Sequence, residues 1–177
     1  YIDEEKDDVI TEISMHYNTS FAEYIRTYVN DINTRDGGTH LEGFKTALTF
    51  VLNKCLENNE KLKKQFEKDT GDKNKKPDDK LMGEDVRSGL TCVISMKVPE
   101  PEFVGQTKDK LGNTEVGTIV NQIVKEKLTL YFEQNPQIAE IILKKAMDEA
   151  RARIAARKAK DNMRKKTMSD GFGLPEK

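Results

Sequence analysis

Val9, Thr11, Ile13, Met15 and Tyr17 alternate with more polar residues, which places them on one face of a strand. Asn18-Thr19-Ser20 supplies turn chemistry, and Tyr24 to Ile32 is again β-branched and aromatic, so the pattern predicts an antiparallel hairpin. After Asn33-Thr34-Arg35-Asp36-Gly37-Gly38-Thr39 the period changes from two to three and four. Leu41, Phe44, Leu48, Val51, Cys55 and Leu62 form one helical stripe for a sheet to bury. Thr39 with Glu42 three residues on reads as a capping box at its start. The Gly-Gly turn is either a plain strand-to-helix connection or a place for an anion at a helix N-terminus.

Beyond Cys55 the pattern fades. Residues 57–80 are dominated by Lys, Asp, Glu and Asn and include Gly71 and Pro77, which predicts a helix fraying into a mobile insertion. Gly83 to Ser88 allows one or two helical turns. Leu90, Cys92, Ile94, Met96 and Val98 then alternate with Thr91, Val93, Ser95 and Lys97, the cleanest strand in the chain. Val116, Val120, Ile123, Val124, Leu128 and Tyr131 mark a helix. Asn135-Pro136 closes it and opens another, with Asn as cap and Pro in the first turn. This last helix, about Gln137 to Lys166, carries an apolar stripe of Leu143, Met147, Ala150 and Ile154. On an adjoining face runs a cationic stripe of Arg153, Arg157, Lys160 and Arg164. Strands, a helix, a strand and long helices predict an α+β fold with helices on one side of a mixed sheet.

Charge refines the picture. The formal net charge is −1, yet residues 1–23 hold seven acids against Lys6, and residues 144–166 hold ten Lys and Arg against three acids. A basic helical end suits a polyanion, or it simply solvates an exposed face. Cys55 and Cys92 sit where small apolar residues belong, pointing to free thiols in a reducing compartment, and with His16 and His40 they match no compact metal-ligand spacing. No metal site is expected. There is no apolar run of membrane-spanning length and no signal peptide. The chain opens on Tyr1 rather than Met, as expected of a piece of a longer protein.

The densest chemistry lies in Pro99-Glu100-Pro101-Glu102-Phe103-Val104-Gly105-Gln106-Thr107-Lys108. Two prolines deny this stretch regular strand pairing, so it projects from the strand end. Its tip offers an amide, a hydroxyl and an ammonium in succession, donors suited to phosphate oxygens. No P-loop, H-E-x-x-H or G-x-S-x-G pattern accompanies it, so no complete catalytic constellation is visible.

These pieces together resemble the second, or transducer, domain of the ATPase region of the DNA gyrase B family of type IIA topoisomerases. The resemblance rests on Val29-Asn30-Asp31-Ile32-Asn33-Thr34-Arg35-Asp36-Gly37-Gly38-Thr39-His40-Leu41-Glu42-Gly43-Phe44 and on Gly83-Glu84-Asp85-Val86-Arg87-Ser88-Gly89-Leu90. Val98-Pro99-Glu100-Pro101-Glu102-Phe103, Gly105-Gln106-Thr107-Lys108, Lys110-Leu111-Gly112-Asn113 and Ala150-Arg151-Ala152-Arg153 extend it over nearly the whole chain from Val9. The corresponding B protein of topoisomerase IV is the nearest alternative.

The resemblance implies a fold like domain 2 of ribosomal protein S5. It implies a single domain over residues 1–177, with an α+β core at 8–134, a long basic helix at 135–168 and a linker at 169–177. It further implies that Lys108, assisted by Gln106 and Thr107, reaches the γ-phosphate of ATP, bound with Mg2+ in a preceding ATPase domain. Lys108 and Gln106 are thereby the catalytic candidates, and the chain alone is expected to be inactive and monomeric. Implied partners are double-stranded DNA, met by Arg35, Arg153, Arg157, Lys160 and Arg164, and the gyrase A protein. The implied location is the bacterial cytoplasm at the nucleoid, or a plastid. A nucleotide-independent nucleic-acid-binding module with the same fold is the competing reading.

Overall fold

The computed structural model of the chain describes residues 1–70 and 80–170, with side chains described through 166. Its strands are β1 (Ile2–Lys6), β2 (Val9–Tyr17), β3 (Tyr24–Val29), β4 (Ile32–Asn33) and β5 (Leu90–Lys97). Its helices are α1 (Thr39–Asn58), α2 (Glu60–Thr70), α3 (Gly83–Arg87), α4 (Thr114–Gln134) and α5 (Pro136–Asp170).

The strands form one mixed sheet in the order β1-β2-β5-β3-β4. β5 lies antiparallel to β2 and parallel to β3, so the hairpin expected from residues 9–32 does not form. Its two strands are instead separated by one that enters only after α1, α2 and α3 have been built. β5 fills that central place because its inner residues are all apolar: Leu90, Cys92, Ile94 and Met96 are at most 1% exposed. The register aligns Ile13, Ile94 and Thr27 in one row and Met15, Cys92 and Ile25 in the next. On the other face Ser14, Val93 and Arg26 align and are exposed.

Two further departures come from short turns. Asp7 and Asp8 both take the left-handed backbone (φ 52° and 62°) and join β1 to β2 as a hairpin, adding a strand that the acid-rich start had concealed. Asn30 and Asp31 do the same (φ 49° and 65°), so the stretch Tyr24 to Ile32 is β3, a tight turn and the start of β4. Asn and Asp tolerate that conformation better than other side chains, having short polar groups that bond locally.

The helical layer covers the inner face. α1 and α4 pack closely, because a Cβ on Gly43 would collide with the backbone carbonyl of Gly117. The expected capping box is absent: the N-cap of α1 is Gly38, with no side-chain cap, and the Thr39 hydroxyl is buried without a partner among the described residues. The Thr39 amide donates instead to the Leu111 carbonyl (3.1 Å), closing the end of α1 with backbone from the Pro-rich loop. That contact makes the Gly-Gly turn a backbone junction between α1 and the loop.

The helical stripe expected to run through Leu62 breaks after Asn58, and residues 60–70, expected to fray into a mobile insertion, form the separate helix α2, with Leu62 and Phe66 in the core at 1% exposure. The charged residues between them face solvent. The rest of that expected insertion, 71–79, lies outside the described residues, as does the end of the expected linker, 171–177. The first half of α5 belongs to the core through Leu143, Met147, Ala150 and Ile154, as its stripe predicts. At the α4–α5 joint the Asn135 side-chain amide donates to the Tyr131 carbonyl (2.9 Å), closing α4, while the Asn135 carbonyl accepts the Ile138 amide of α5. Both cysteines are free; burial pushes the Cys92 thiol up to about 12, so it is a packing residue.

Candidate functional site

β5 delivers the chain into residues 98–112, which turn back on themselves as a short hairpin. Phe103 and Leu111 form an antiparallel bridge, Val104 donates to the Lys110 carbonyl (2.8 Å), and Gly112 donates to Glu102 (2.7 Å). Beyond that pairing project Gly105, Gln106, Thr107 and Lys108, all exposed. Gly105 (φ 85°) and Lys108 (φ 58°) have left-handed backbones. For glycine that costs nothing; for lysine it is strain of order 1 kcal/mol, carried at the residue with the most chemistry to offer. The tip presents donors and a cation, and the acid that follows it in the chain, Asp109, is half-buried.

The base of this hairpin is anchored on three sides. On the β5 side, the Asn30 side chain brackets Val98, donating to its carbonyl and accepting from its amide, both at 2.8 Å. On the α1 side, Leu111 donates to the Gly37 carbonyl (3.0 Å) and accepts from Thr39. Gly38 (φ 132°) lies so close to the Leu111 backbone that no side chain fits there. On the α4 side, buried Asn113 accepts from the Glu102 amide (2.6 Å) and donates to the Glu100 carbonyl (3.2 Å). The tip is thus exposed while its base is continuous with β5 and with the N-termini of α1 and α4.

Arg35 sits at this same end: the Asp36 amide donates to the Asp109 carbonyl (2.9 Å), so the Arg35 turn flanks the tip. Arg153 lies elsewhere. Its guanidinium forms a fork on Asp85, Nε to Oδ1 at 3.0 Å and Nη2 to Oδ2 at 2.8 Å, with Glu84 at 3.5 Å. Asp85 also accepts the Met82 amide (2.7 Å), so one buried carboxylate caps α3 and holds α5. Nearby on α5, Arg151 reaches Asp69 of α2 at 2.6 Å. α3 precedes β5 and the hairpin follows it, so roughly 26 Å of strand separates Arg153 from the Lys108 end. The structure therefore groups Arg35 with Gln106, Thr107 and Lys108, and leaves Arg153 at the other end.

Past Ile154 the character of α5 changes. Every residue from Ala155 to Lys166 is exposed, so Arg157, Lys160 and Arg164 stand on an exposed stretch of helix about 18 Å long. Because that stretch is exposed all round, Lys158, Lys165 and Lys166 share it with them.

Between the Arg35 turn and the sheet lies a buried polar chain. The Thr27 hydroxyl donates to the Thr34 carbonyl (2.8 Å), the Thr34 hydroxyl donates to Thr27 Oγ1 (2.7 Å), and Thr34 Oγ1 lies 3.1 Å from His40 Nε2. With the Thr34 proton committed to Thr27, His40 donates from Nε2 and its Nδ1 is left buried and unpartnered among the described residues. Burial pushes His40 down to about 4, so it is neutral at pH 7.

Sequence reasoning missed the residues that hold the site. Asn113 and Asn30 stand beside turns, where Asn is commonplace, and Asp85 lies 68 positions from Arg153. Only their occurrence inside the family's motifs marked them.

Among the described residues no three His, Cys, Asp or Glu side chains converge as metal ligands, and no helix is long and apolar enough to cross a membrane. The sequence matches the DNA gyrase B family over residues 1–162. It is 53% identical, over its full length, to the DNA gyrase B protein of Treponema pallidum and 54% identical to that of Treponema denticola. It spans about a quarter of the length of each, 26%. Among solved structures, the 43K ATPase domain of Thermus thermophilus gyrase B, in complex with an aminocoumarin, superposes with a TM-score of 0.71 at 40% identity. The match covers 90% of this chain and 40% of that one. The topoisomerase IV ATP-binding domain of Francisella tularensis, in complex with a small-molecule inhibitor, gives 0.70 at 30% identity over 87% of this chain and 39% of that one. The match to the gyrase B family over most of the sequence, and the common fold with a gyrase B ATPase domain, place this chain in the DNA gyrase B family.

Proposed function

We propose that the chain is the transducer of an ATP-dependent type II DNA topoisomerase. It reads the state of a nucleotide through the Gln106-Thr107-Lys108 tip and passes it to DNA through α5. The observation that carries this reading is the tip itself: exposed donors and a cation, on a hairpin whose base is fixed to a strand and two helices.

The tip's hydrogen-bond donors suit phosphate oxygens, and on this reading any Mg2+ and the adenine pocket belong to a preceding ATPase domain. With ATP bound there, the γ-phosphoryl group would present anionic oxygens to the tip during its transfer to water. Lys108 Nζ places its positive charge beside that group, with the Gln106 amide and the Thr107 hydroxyl as neutral donors. Because Lys108 belongs to a different rigid body from the rest of the pocket, its contact ties the two bodies while the triphosphate is intact. Release of phosphate frees the loop, and β5, α1 and α4 move with it. At the far end, Asp85 and Asp69 hold Arg153 and Arg151, so α5 follows the body. Its basic end, with Arg157, Lys160 and Arg164, meets the phosphates of double-stranded DNA, while Arg35 contacts DNA only where the duplex passes the tip. The gyrase A protein is the partner that completes strand passage, and the chain by itself is an inactive monomer.

The exposed arm also suits a module that binds nucleic acid without nucleotide. Lys108→Ala in the full-length protein separates the two readings. For the transducer, ATP turnover falls on the order of a hundredfold, about 3 kcal/mol, while binding of a non-hydrolysable analogue changes little. Lys108→Arg rescues only in part, since a planar fork does not replace a point charge. Turnover at the parent rate would refute the sensor role.

A further inference from the structure

We propose that Asn113 is a positioning residue for the Lys108 tip, holding the hairpin base so that the ammonium arrives at one place; this rests on the transducer reading above.

Asn113 occupies the N-cap position of α4, yet its side chain makes no capping bond. An Asn at that position ordinarily accepts from the amide two or three residues on. Here the amide group is turned the other way, into the loop. Oδ1 accepts from the Glu102 amide (2.6 Å), and Nδ2 donates to the Glu100 carbonyl (3.2 Å) and to the Glu115 carboxylate (2.7 Å). The residue is 4% exposed, so its own end of these bonds is out of water, while Glu115 is exposed. The helix start forgoes its own cap in favour of two backbone groups on the opposite limb of the hairpin.

This role needs an asparagine. One planar group must accept from one limb and donate to the same limb two residues earlier while also reaching Glu115. Aspartate lacks the donor and would face Glu115 with like charge; serine and alanine cannot bond both Glu100 and Glu102. The clasp closes the segment from Glu100 to Asn113 next to the Gly112–Glu102 and Val104–Lys110 bonds. That leaves residues 105–108 as the tip beyond these bonds. If it opens, the tip swings from a wider base, and the Lys108 ammonium spends less time where a phosphate would meet it. Misplacement of a reacting or stabilising group by about 1 Å can cost a hundredfold in rate.

The test uses the full-length protein and a double-mutant cycle between Asn113→Ala and Lys108→Ala. Acting through Lys108, Asn113→Ala lowers kcat about tenfold or more with the affinity for a non-hydrolysable ATP analogue unchanged. In the Lys108→Ala background it lowers kcat by less than about twofold, because the group it positions is gone. Amide hydrogen exchange supplies a readout independent of turnover: Glu102 exchanges faster in Asn113→Ala while the core of α4 does not. Asn113→Ser, which can keep at most one of the bonds to Glu100 and Glu102 and adds no charge, falls between parent and alanine, and takes the place of alanine should that variant not fold. Losses that multiply in the double mutant, or Glu102 exchange at the parent rate, would overturn the proposal. A parent-like Lys108→Ala would instead strike the transducer reading, with the exchange result still deciding whether the clasp exists.

Discussion

Removing the Asp85 carboxylate tests how α5 is held to the body. In the folded chain this side chain is 2% exposed, and it accepts from Arg153 Nε, Arg153 Nη2 and the Met82 amide. Asp85→Ala takes the closest carboxylate from a guanidinium that is 18% exposed, leaving it beside the exposed Glu84, and it strips α3 of the acceptor at its start. Breaking a buried ion pair from one side costs about 3–5 kcal/mol, because the surviving charge stays partly desolvated. Arg153 keeps some water and Glu84, which argues for the lower end, ~3 kcal/mol, including about 1 kcal/mol for the lost cap. For a chain of this size a kilocalorie is worth roughly 2–4 °C, so Tm falls by about 9 °C. Urea unfolding of the 177-residue chain, followed by circular dichroism, measures the loss directly. Asp85→Asn retains the Met82 bond and one weaker bond to Arg153, so it loses about half as much. Arg153→Met combined with Asp85→Ala costs less than the sum of the two, since the pair is then removed together and neither charge outlives the other. A loss under about 1 kcal/mol, or full additivity, would mean that the fork behaves as an exposed ion pair and that α5 is held by its apolar stripe.

Changing Arg157, Lys160 and Arg164 together to Gln should flatten the plot of log K for duplex DNA against log salt by about 2.7 slope units, at ~0.9 per phosphate. An unchanged slope would make them solvating residues; Arg153 is left out because Asp85 already holds it. His40 makes the fold acid-sensitive. The unfolded chain takes up its proton near pH 6.5 and the folded chain only near 4, so stability falls as pH drops through that window, by up to roughly 3 kcal/mol. Urea midpoints at pH 7 and about pH 4.5, for the parent and for His40→Gln, read the difference, and equal pH dependence in both would refute it. Gly38→Ala should cost ~2 kcal/mol or more and loosen the hairpin, since its φ of 132° and the adjoining Leu111 backbone leave no room for a Cβ. A parent-like Tm would show that the loop can retreat from α1.

The projecting tip is legible because the chain writes it consecutively. Gln106, Thr107 and Lys108 follow a strand and two prolines, and no tertiary information is needed to see that such a segment projects. The residues that hold the tip in place are not legible. Asn113 does its bonding backwards, away from the helix it begins, and local rules predict a cap at that position. Arg153 reads as a member of a cationic stripe because helical spacing records which face a residue is on, not what stands opposite. What stands opposite is Asp85, which no local pattern connects to it.

Local pattern suffices for the elements whose partner is simply the core. β5, α1, α4 and the packed half of α5 bury one face each, and burial of apolar surface imprints its period on the chain whatever lies across from it. Pairing is settled only in three dimensions. β2 and β3 carry the pattern of a hairpin, yet each is completed by β5, because the pattern fixes which side of a strand is apolar and is silent on which edge meets which neighbour. Long-range packing also sets how α1 begins, through a carbonyl from Leu111 in place of the Thr39 hydroxyl, and it orders α2, where two buried side chains, Leu62 and Phe66, outweigh a run of charges. In each case the deciding contact comes from a residue distant in the chain, so its free energy leaves no mark on the local sequence.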